Sequence, residues 1–472
     1  MNPDVYLQPP RVAQAPGEAQ TLYDTLLRPQ PAPAAIAQAH AWLDDRLAEA
    51  DLLDCDLPSD PADLPAWLAR RNAAVGEQYT AYLAERQAGG PRRYFSNRAH
   101  ALFFLRGVAP TKRVDGAWLY GLSRHWQDVR YAGLITTYLE ELGEGDARAN
   151  HVAMYERLLA EHGCDAIEGL TDEQYVQGAI QLALAHGADC YLPEVIGFNL
   201  GYEQLPLHLL ITAYEFNELG LDPYYFTVHV TGDNAHSGHA RKAMDSVRQL
   251  WPVLEDGDTF AQRLRRGYLL NDLGAGTLDV IHSFDLETEL CRILADKSAW
   301  GRHAHSDYCR IEGRTVNDWL QDPTQARGLL QALEKSGWLR RGAPPEESRF
   351  WKLLQSERGE MFGVFSGYEQ QVLADWIADG RVPEGKGQRR LTFRASRRLR
   401  DTLLPSASAL GESPANDDIV DGDIALLRAR LEKAKSRADV MAELVPLIGP
   451  ATHATPVGLL ATRQFNRLHR TA

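Results

Sequence analysis

The chain has 472 residues, of which 44% are hydrophobic and 24% charged, and this composition is typical of a globular protein and excludes disordered and fibrous classes. Lys and Arg number 50 against 64 Asp and Glu, a formal net charge of −14 that disfavours nucleic-acid and membrane partners. Five scattered cysteines disfavour a disulfide framework and a zinc ribbon. With no apolar leader and no run of about 18 apolar residues, we expect a cytoplasmic protein.

Helical periodicity dominates the chain from its N-terminal part onward. Residues 1–35 are rich in Pro, Ala and Gln and predict one short helix near residues 22–27. A helical pattern of apolar residues follows to about residue 87. Residues 94–254 predict a bundle of about six or seven helices of roughly 12 to 22 residues, which is enough to enclose a site between facing helices. Two further helices are expected near residues 257–270 and 276–296.

The remaining third of the chain changes in character. Residues 300–380 predict a smaller, mainly helical region, residues 424–444 predict one charged amphipathic helix, and the final segment is weakly patterned. A basic run at residues 389–400 fits a solvated face better than a phosphate or carrier-protein site. We therefore predict an all-α protein in five parts: an N-terminal helical extension (1–90), a bundle domain (91–297), a mainly helical C-terminal domain (298–404), a linker (405–423), and a helix and tail (424–472).

The strongest chemical signal is the segment from residue 224 to residue 239. His229, Asp233 and His236 stand at positions i, i+4 and i+7, which share one face of an α-helix. A polar, solvated helix face is the alternative interpretation, but the apolar surroundings favour a metal site. His239 would lie about 80° off this face on a continuous helix, so we expect it to support the ligands from outside or to be solvated.

Carboxylates from other helices are needed to complete such a site. Glu203 lies in an apolar stretch, where a lone carboxylate is costly unless it is paired or bound to metal. Upstream, Glu144 and His151 are seven residues apart and share a face of a continuous helix. Glu141 and His151 are ten apart and need a break at Gly143 and Gly145 to bring them together.

The resulting set contains nitrogen and oxygen ligands without a thiolate, which suits a pair of non-haem iron or manganese ions rather than structural zinc. The common di-iron signature of ferritin-like bundles repeats Glu-x-x-His, and this motif does not occur in the chain. That class is therefore disfavoured.

The combined pattern resembles the haem-oxygenase-like di-iron oxidases and oxygenases, a family of iron-containing redox enzymes. The resemblance covers about residues 95–255 and is carried by E-L-G-x-G-x5-H, by a Glu in a Gly- and Pro-flanked apolar helix, and by L-G-L-D-x-x-Y-F-x-x-H-x3-D-x2-H. It implies a seven-helix fold, O2 as co-substrate and two Fe(II)-loaded iron ions that form a peroxo-di-iron(III) species. The implied ligands are Glu141, His151, Glu203, His229, Asp233 and His236.

Two alternatives stay open in this ligand set. Glu144 competes with Glu141, because spacing between the first Glu and its His varies within the family. Some relatives use a further carboxylate from the preceding helix, and here only Asp115 is available; we interpret Asp115 as a helix N-cap in preference to a ligand.

The resemblance implies an oxidase or oxygenase that acts on an amino acid or a derived small amine or carboxylate, by N-oxygenation or by oxidative C–H or C–C cleavage. No Walker or G-x-G-x-x-G motif is present, so we expect no nucleotide or flavin cofactor and an external reductant. The expected cofactor is the iron pair, without haem. We allow for a homodimer. The competing hypothesis is a metal-free helical binding or regulatory protein, with the same side chains dispersed over its surface.

Side chains that could line a substrate pocket are indicated only by their closeness to the ligands in sequence. Arg241 could hold a substrate carboxylate, although a surface position is favoured. The other neighbours of the ligands in sequence are Trp118, Tyr138, Asn199, Tyr202 and Tyr225. The aromatic ones among them fit core packing better than substrate contact.

Overall fold

A computed structural model describes residues 15–232, 238–251, 257–302, 305–355, 359–380 and 422–470. Within these ranges the regular secondary structure is helical apart from one two-stranded hairpin, so the predicted all-α class is confirmed. None of the described helices is long and apolar enough to cross a membrane. All five cysteines are free thiols in this structure. The basic run at residues 389–400 and nearly all of the predicted linker lie outside the described residues.

Three helices precede the central bundle and pack onto it. Helix α1 replaces the short helix predicted near residues 22–27, and the Asp172 carboxylate caps it by accepting from the backbone N–H groups of Ala19 (3.1 Å) and Gln20 (2.8 Å). Helix α2 begins at a proline, which suits a first helical position because its missing N–H has no partner there. The three helices are Glu18–Leu26 (α1), Pro33–Ala50 (α2) and Leu64–Gln87 (α3).

The central bundle has more and shorter helices than predicted, because tight turns and a 3₁₀ segment at Ala117–His125 interrupt the helical pattern. Its central helix, Asp172–Gly187, is buried on nearly every side after its polar first turn, and the burial includes Gln177 and Gln181 as well as its apolar residues. The helices are Arg98–Gly107 (α4), Ala109–Lys112 (α5), Ala132–Glu141 (α6), His151–Glu161 (α7), Asp172–Gly187 (α8), Leu192–Tyr202 (α9), Leu207–Glu218 (α10), Tyr224–Gly232 (α11), His239–Leu250 (α12), Gly257–Leu269 (α13), Thr277–His282 (α14) and Leu286–Gly301 (α15).

The C-terminal third begins with a hairpin in which Arg310 pairs with Thr315 and Ile311 with Arg314. The single helix predicted at residues 424–444 is two helices, because Ser436 and Asp439 form a capping box that starts a new helix. The weakly patterned final segment is also helical. The elements are Arg310–Ile311 (β1), Arg314–Thr315 (β2), Val316–Leu320 (α16), Ala326–Lys335 (α17), Arg349–Gln355 (α18), Gly367–Ala378 (α19), Gly422–Lys433 (α20), Arg437–Leu444 (α21) and Pro456–His469 (α22).

Two hydrophobic cores run through the described residues. One joins α1–α3, the central helix α8 and the C-terminal helices α20–α22. The other joins α4, α7 and α15 to the region between the hairpin and α19. The C-terminal third therefore packs against the bundle through both cores, while the predicted domain boundaries stay predictions.

Helix ends gather near one point inside the bundle. Glu141 is the last residue of α6 and His151 is the first of α7. Glu203 directly follows α9, and His239 is the first residue of α12. Side chains at helix ends can converge without any helix having to bend, and these four do converge.

Candidate metal centre

A tight turn brings Glu141 and His151 together across ten residues. Gly143 has a φ of 62°, and a Cβ there would lie 2.4 Å from the backbone nitrogen of Asn150, so only glycine fits without a shift. Asn150 is fully buried; its side chain donates to the Leu142 carbonyl (3.2 Å) and caps α7. The break that this spacing required is therefore present.

The other candidate in this turn, Glu144, faces away from the site. It has a φ of 52°, is part-exposed and forms an ion pair with Arg470 at the surface. Glu141 is 4% exposed and its Oε2 lies 2.5 Å from His151 Nδ1. The geometry thus favours Glu141 over Glu144.

Four buried side chains form what we call the first ligand group: Asp115, Glu141, His151 and His229. Each offers one nitrogen or oxygen atom, and these atoms all lie within 4.8 Å of one another. Gly116, with a φ of 81°, allows the close approach, because a Cβ there would lie 2.9 Å from the Cβ of Glu141. Burial lowers the pKa of His151, but the Glu141 carboxylate, whose Oε2 lies 2.5 Å from His151 Nδ1, outweighs this and raises it.

His229 presents a lone pair to a carboxylate. Its Nδ1 donates to the Tyr225 carbonyl at 2.7 Å, since a carbonyl oxygen only accepts, and Nε2 then faces Asp115 Oδ2 at 3.3 Å. Burial lowers the pKa of His229 and the neighbouring His151 lowers it further, so the ring is neutral. Two acceptors that face each other in a buried place fit a bound cation.

Asp115 is held in its position by two tyrosines. The Tyr202 hydroxyl donates to Oδ1 (2.7 Å) and the Tyr225 hydroxyl donates to Oδ2 (2.8 Å). Burial favours the neutral acid, but the Lys112 ammonium opposes it, and the pKa of Asp115 stays well below its ordinary value. The interpretation of Asp115 as an N-cap is therefore wrong: Gly116 occupies the cap position, and Asp115 belongs to the ligand group.

Glu141, Glu203 and His239 form what we call the second ligand group. His239 Nδ1 lies 3.1 Å from Glu141 Oε1 and 3.1 Å from Glu203 Oε2, and Nε2 lies 2.9 Å from Glu140 Oε2. Burial opposes protonation of His239, but Glu203 and the other two carboxylates raise its pKa far above the ordinary value. The protonated ring thus supplies positive charge among three carboxylates.

Glu203 keeps one oxygen without a partner. Its Oε1 is buried and accepts no hydrogen bond. Burial raises the pKa of Glu203 above its ordinary value, although His239 opposes the change. An unsatisfied buried carboxylate oxygen is costly, and a metal ion is one of the few partners that satisfies it.

The structure brings together four of the six predicted ligands, namely Glu141, His151, Glu203 and His229. Asp233 and His236 lie outside the described residues. His239 is neither solvated nor outside the ligands, because it is 8% exposed and lies between two carboxylates of the second ligand group. The predicted angle assumed a helix continuous with His229, whereas His239 begins a new helix after Gly238.

A cavity of about 600 Å³ adjoins both groups and is lined by Glu141, Glu203 and His229. Trp118 and Tyr202 also line the cavity. They are two of the five side chains that the sequence placed near the ligands. Tyr138 and Asn199 are buried in the core instead; Asn199 accepts from the Trp118 ring nitrogen at 3.0 Å. Arg241 pairs with Asp245 of its own helix on an exposed surface, which is the surface position that the sequence favoured for it.

Comparison with known proteins agrees with this geometry. Residues 102–272 match the family model described as iron-containing redox enzyme, a stretch that contains both ligand groups. The resemblance to haem-oxygenase-like iron enzymes is therefore confirmed for roughly a third of the chain, and the match indicates an oxidoreductase. No curated protein and no solved structure matches the chain.

Proposed function

We propose that the protein is a non-haem di-iron oxidoreductase that uses O2 to oxidise an amino acid or a derived small amine or carboxylate. The observation that carries the proposal is the pair of facing acceptors in the first ligand group, His229 Nε2 and Asp115 Oδ2. A cation that lies between the lone pair of a neutral imidazole and an ionised carboxylate is attracted to both of them. Nitrogen and oxygen ligands without thiolate favour iron or manganese, and the family match favours iron.

The two ligand groups would hold one ion each. The first would use Asp115, Glu141, His151 and His229, and the second would use Glu203 and share Glu141. His239, or the predicted Asp233 and His236, would complete the second. When bound, a pair of iron ions supplies the one-electron steps of O2 activation, which amino-acid side chains lack.

The chain itself would hold the ligands in position. Tyr202 and Tyr225 orient Asp115 through their hydroxyl groups, and the Tyr225 carbonyl fixes the tautomer of His229. The cavity places a small molecule beside both groups, with electrons coming from an external reductant. N-oxygenation and oxidative C–H or C–C cleavage both fit this arrangement.

Anaerobic Fe(II) loading, followed by iron counting and measurement of O2 uptake, tests the proposal. We expect about two irons per chain and iron-dependent O2 uptake. Glu141→Gln should lose most of both, because Glu141 belongs to both groups. Glu144→Gln is the matched control: it makes the same change in the same turn, on a side chain paired with Arg470, and should behave as the wild type.

Circular dichroism of both variants checks that the fold is retained. A folded wild-type protein that takes up no iron would contradict the proposal and favour the metal-free binding protein. That alternative predicts ligand residues dispersed over the surface, whereas the described ones are buried within reach of one another. Equal losses in Glu141→Gln and Glu144→Gln would also contradict the proposed ligand set.

A further inference from the structure

The cavity beside the ligand groups has an uneven distribution of positive charge. Among its described lining residues the Lys and Arg side chains are Arg71 and Lys112. Arg71 is partly exposed and its guanidinium donates to Asp56 at 2.5 Å. Arg71 is therefore already paired with a carboxylate, and Lys112 is the cation nearer to the ligand groups.

Lys112 has hydrogen-bonding capacity left over. Its side chain is 21% exposed, and its ammonium donates to the Tyr202 hydroxyl at 2.9 Å. The nearest carboxylate oxygen in an ion pair with it, Asp115 Oδ1, is 4.0 Å away, beyond hydrogen-bond distance. An ammonium has three N–H donors, so two remain for another partner.

Asp115 does not depend on Lys112 for its own hydrogen bonds. Both of its oxygens accept from tyrosine hydroxyls, and Oδ2 also faces His229. A cation bound by the first ligand group would neutralise Asp115 further and leave the Lys112 charge without a counterion. A half-buried ammonium beside a cavity then attracts an anion strongly, because solvent screens it poorly.

We propose that Lys112 binds the carboxylate of the substrate and sets which end of the substrate faces the ligand groups. The identity of this ligand as the substrate rests on the proposed function, while the anion site itself rests on the geometry around Lys112. Since Lys112 lies 4.0 Å from Asp115, the carboxylate end is the end held near the ligand groups. The atoms next to that carboxylate, rather than the far end of the molecule, then face the metal centre.

His208 adds a neutral polar group to the same cavity. Burial lowers its pKa to about 4, with a further contribution from Lys112, so the ring carries no charge near pH 7. A neutral imidazole can donate one hydrogen bond to an anion without adding a second cation. The lining thus places Lys112 and a neutral donor beside apolar walls such as Phe104 and Phe226, while its carboxylates are Glu141 and Glu203 of the ligand groups together with Asp272 and Asp279.

Calorimetric titration of the protein loaded anaerobically with Fe(II) tests the assignment. The probes are acetate, butyrate, hexanoate, octanoate, phenylacetate and 4-phenylbutyrate, each compared with its uncharged primary amide, and methyl phosphate. We expect at least one acid to bind about tenfold or more tightly than its amide, a difference of about 1.4 kcal/mol. Lys112→Met should abolish that preference, Lys112→Arg should retain it, and Arg71→Met, the other cation of the cavity, should leave it unchanged.

The assignment is overturned if no acid binds better than its amide, if the preference survives in Lys112→Met, or if Arg71→Met removes it instead. Tighter, Lys112-dependent binding of methyl phosphate than of every acid would overturn the choice of a carboxylate. Lys112→Gln serves in place of the Met variant if the latter does not fold. Iron content and O2 uptake of the same wild-type preparation test the proposed function separately. If iron does not bind, the comparison of each acid with its amide is repeated without iron and still tests the anion site.

Discussion

The two ligand groups share Glu141 but differ in how their charges are balanced before any metal arrives. In the first, a carboxylate faces the lone pair of a neutral imidazole, and tyrosines hold the carboxylate in place. In the second, protonated His239 lies between Glu141 and Glu203 and supplies the positive charge itself. A metal ion entering the second group therefore displaces a proton shared among three carboxylates. In the first group it meets the free lone pair of His229, although Glu141 and Asp115 raise the pKa of His151 there as well.

This difference indicates unequal affinities within one centre. Preorganised ligands that lose no internal partner on binding give the tighter site. The second group has to give up the His239 contacts, although it gains a partner for the unsatisfied Oε1 of Glu203. We therefore expect the first group to load with iron before the second.

Removing one carboxylate from each group gives the largest expected effects. Asp115→Asn should weaken the tighter iron-binding phase by more than about 100-fold, because it removes a ligand rather than a partner of a ligand. Glu203→Gln should remove the weaker phase and leave the tighter one. Anaerobic Fe(II) titration of both variants, followed by the change in tryptophan fluorescence and by iron counting, measures the two phases.

If both variants lose the same phase, or if wild-type titration shows two identical sites, the comparison between the groups fails. Both substitutions replace a carboxylate with the amide of the same size, so differences in packing do not enter. Thermal unfolding of the metal-free variants provides the control for folding.

The tyrosines that orient Asp115 should have the next largest effect. Tyr225→Phe removes the hydroxyl that donates to Oδ2 and should weaken the tighter phase by about 10- to 100-fold, the usual effect of changing a partner of a metal ligand. Tyr155→Phe is the matched control: Tyr155 is also fully buried and its ring stacks edge-on with Tyr225, but its hydroxyl donates to the Leu105 carbonyl. Equal effects of the two substitutions on iron binding would show that Tyr225 acts through packing alone.

Local sequence patterns predicted much of the centre. The E-L-G-x-G-x5-H spacing predicted that Glu141 and His151 come together across a glycine break, since a turn of this kind leaves a local signature. The apolar surroundings of Glu203 and His229 marked them as costly to bury alone. The helical class followed from periodicity in the same way.

The missed residues depend on contacts distant in sequence or on an unrecognised helix end. Asp115 precedes a glycine, which is typical of a cap, and its partners Tyr202 and Tyr225 follow by 87 and 110 residues. Lys112 carries no local signal of a cavity. His239 was misplaced because an angle on a helical wheel applies only within one helix, and Gly238 was the available sign of a new helix start.

Asn150 should have a moderate effect on the turn that joins the shared Glu141 to His151. Asn150→Ala removes an N-cap, which costs about 1 kcal/mol, and the buried bonds of its amide to Leu142 and to His453, each of which costs about as much again, so we expect about 3 kcal/mol of lost stability in chemical denaturation. It should also weaken the tighter iron-binding phase. Asn97→Ala, the control, removes the N-cap of α4 and should lower stability by about 1 kcal/mol without changing iron binding.

The smallest effect is expected at the outer face of the same turn. Arg470 pairs with Glu144 where the two side chains are 61% and 42% exposed, so water and salt screen the attraction. Arg470→Ala should change the free energy of unfolding by less than about 0.5 kcal/mol and leave both iron-binding phases intact. The position of His151 relative to Glu141 would then depend on the Gly143 backbone and the buried Asn150. A clear loss of iron binding in Arg470→Ala would instead mean that the C-terminal helix holds the turn in place through this exposed pair.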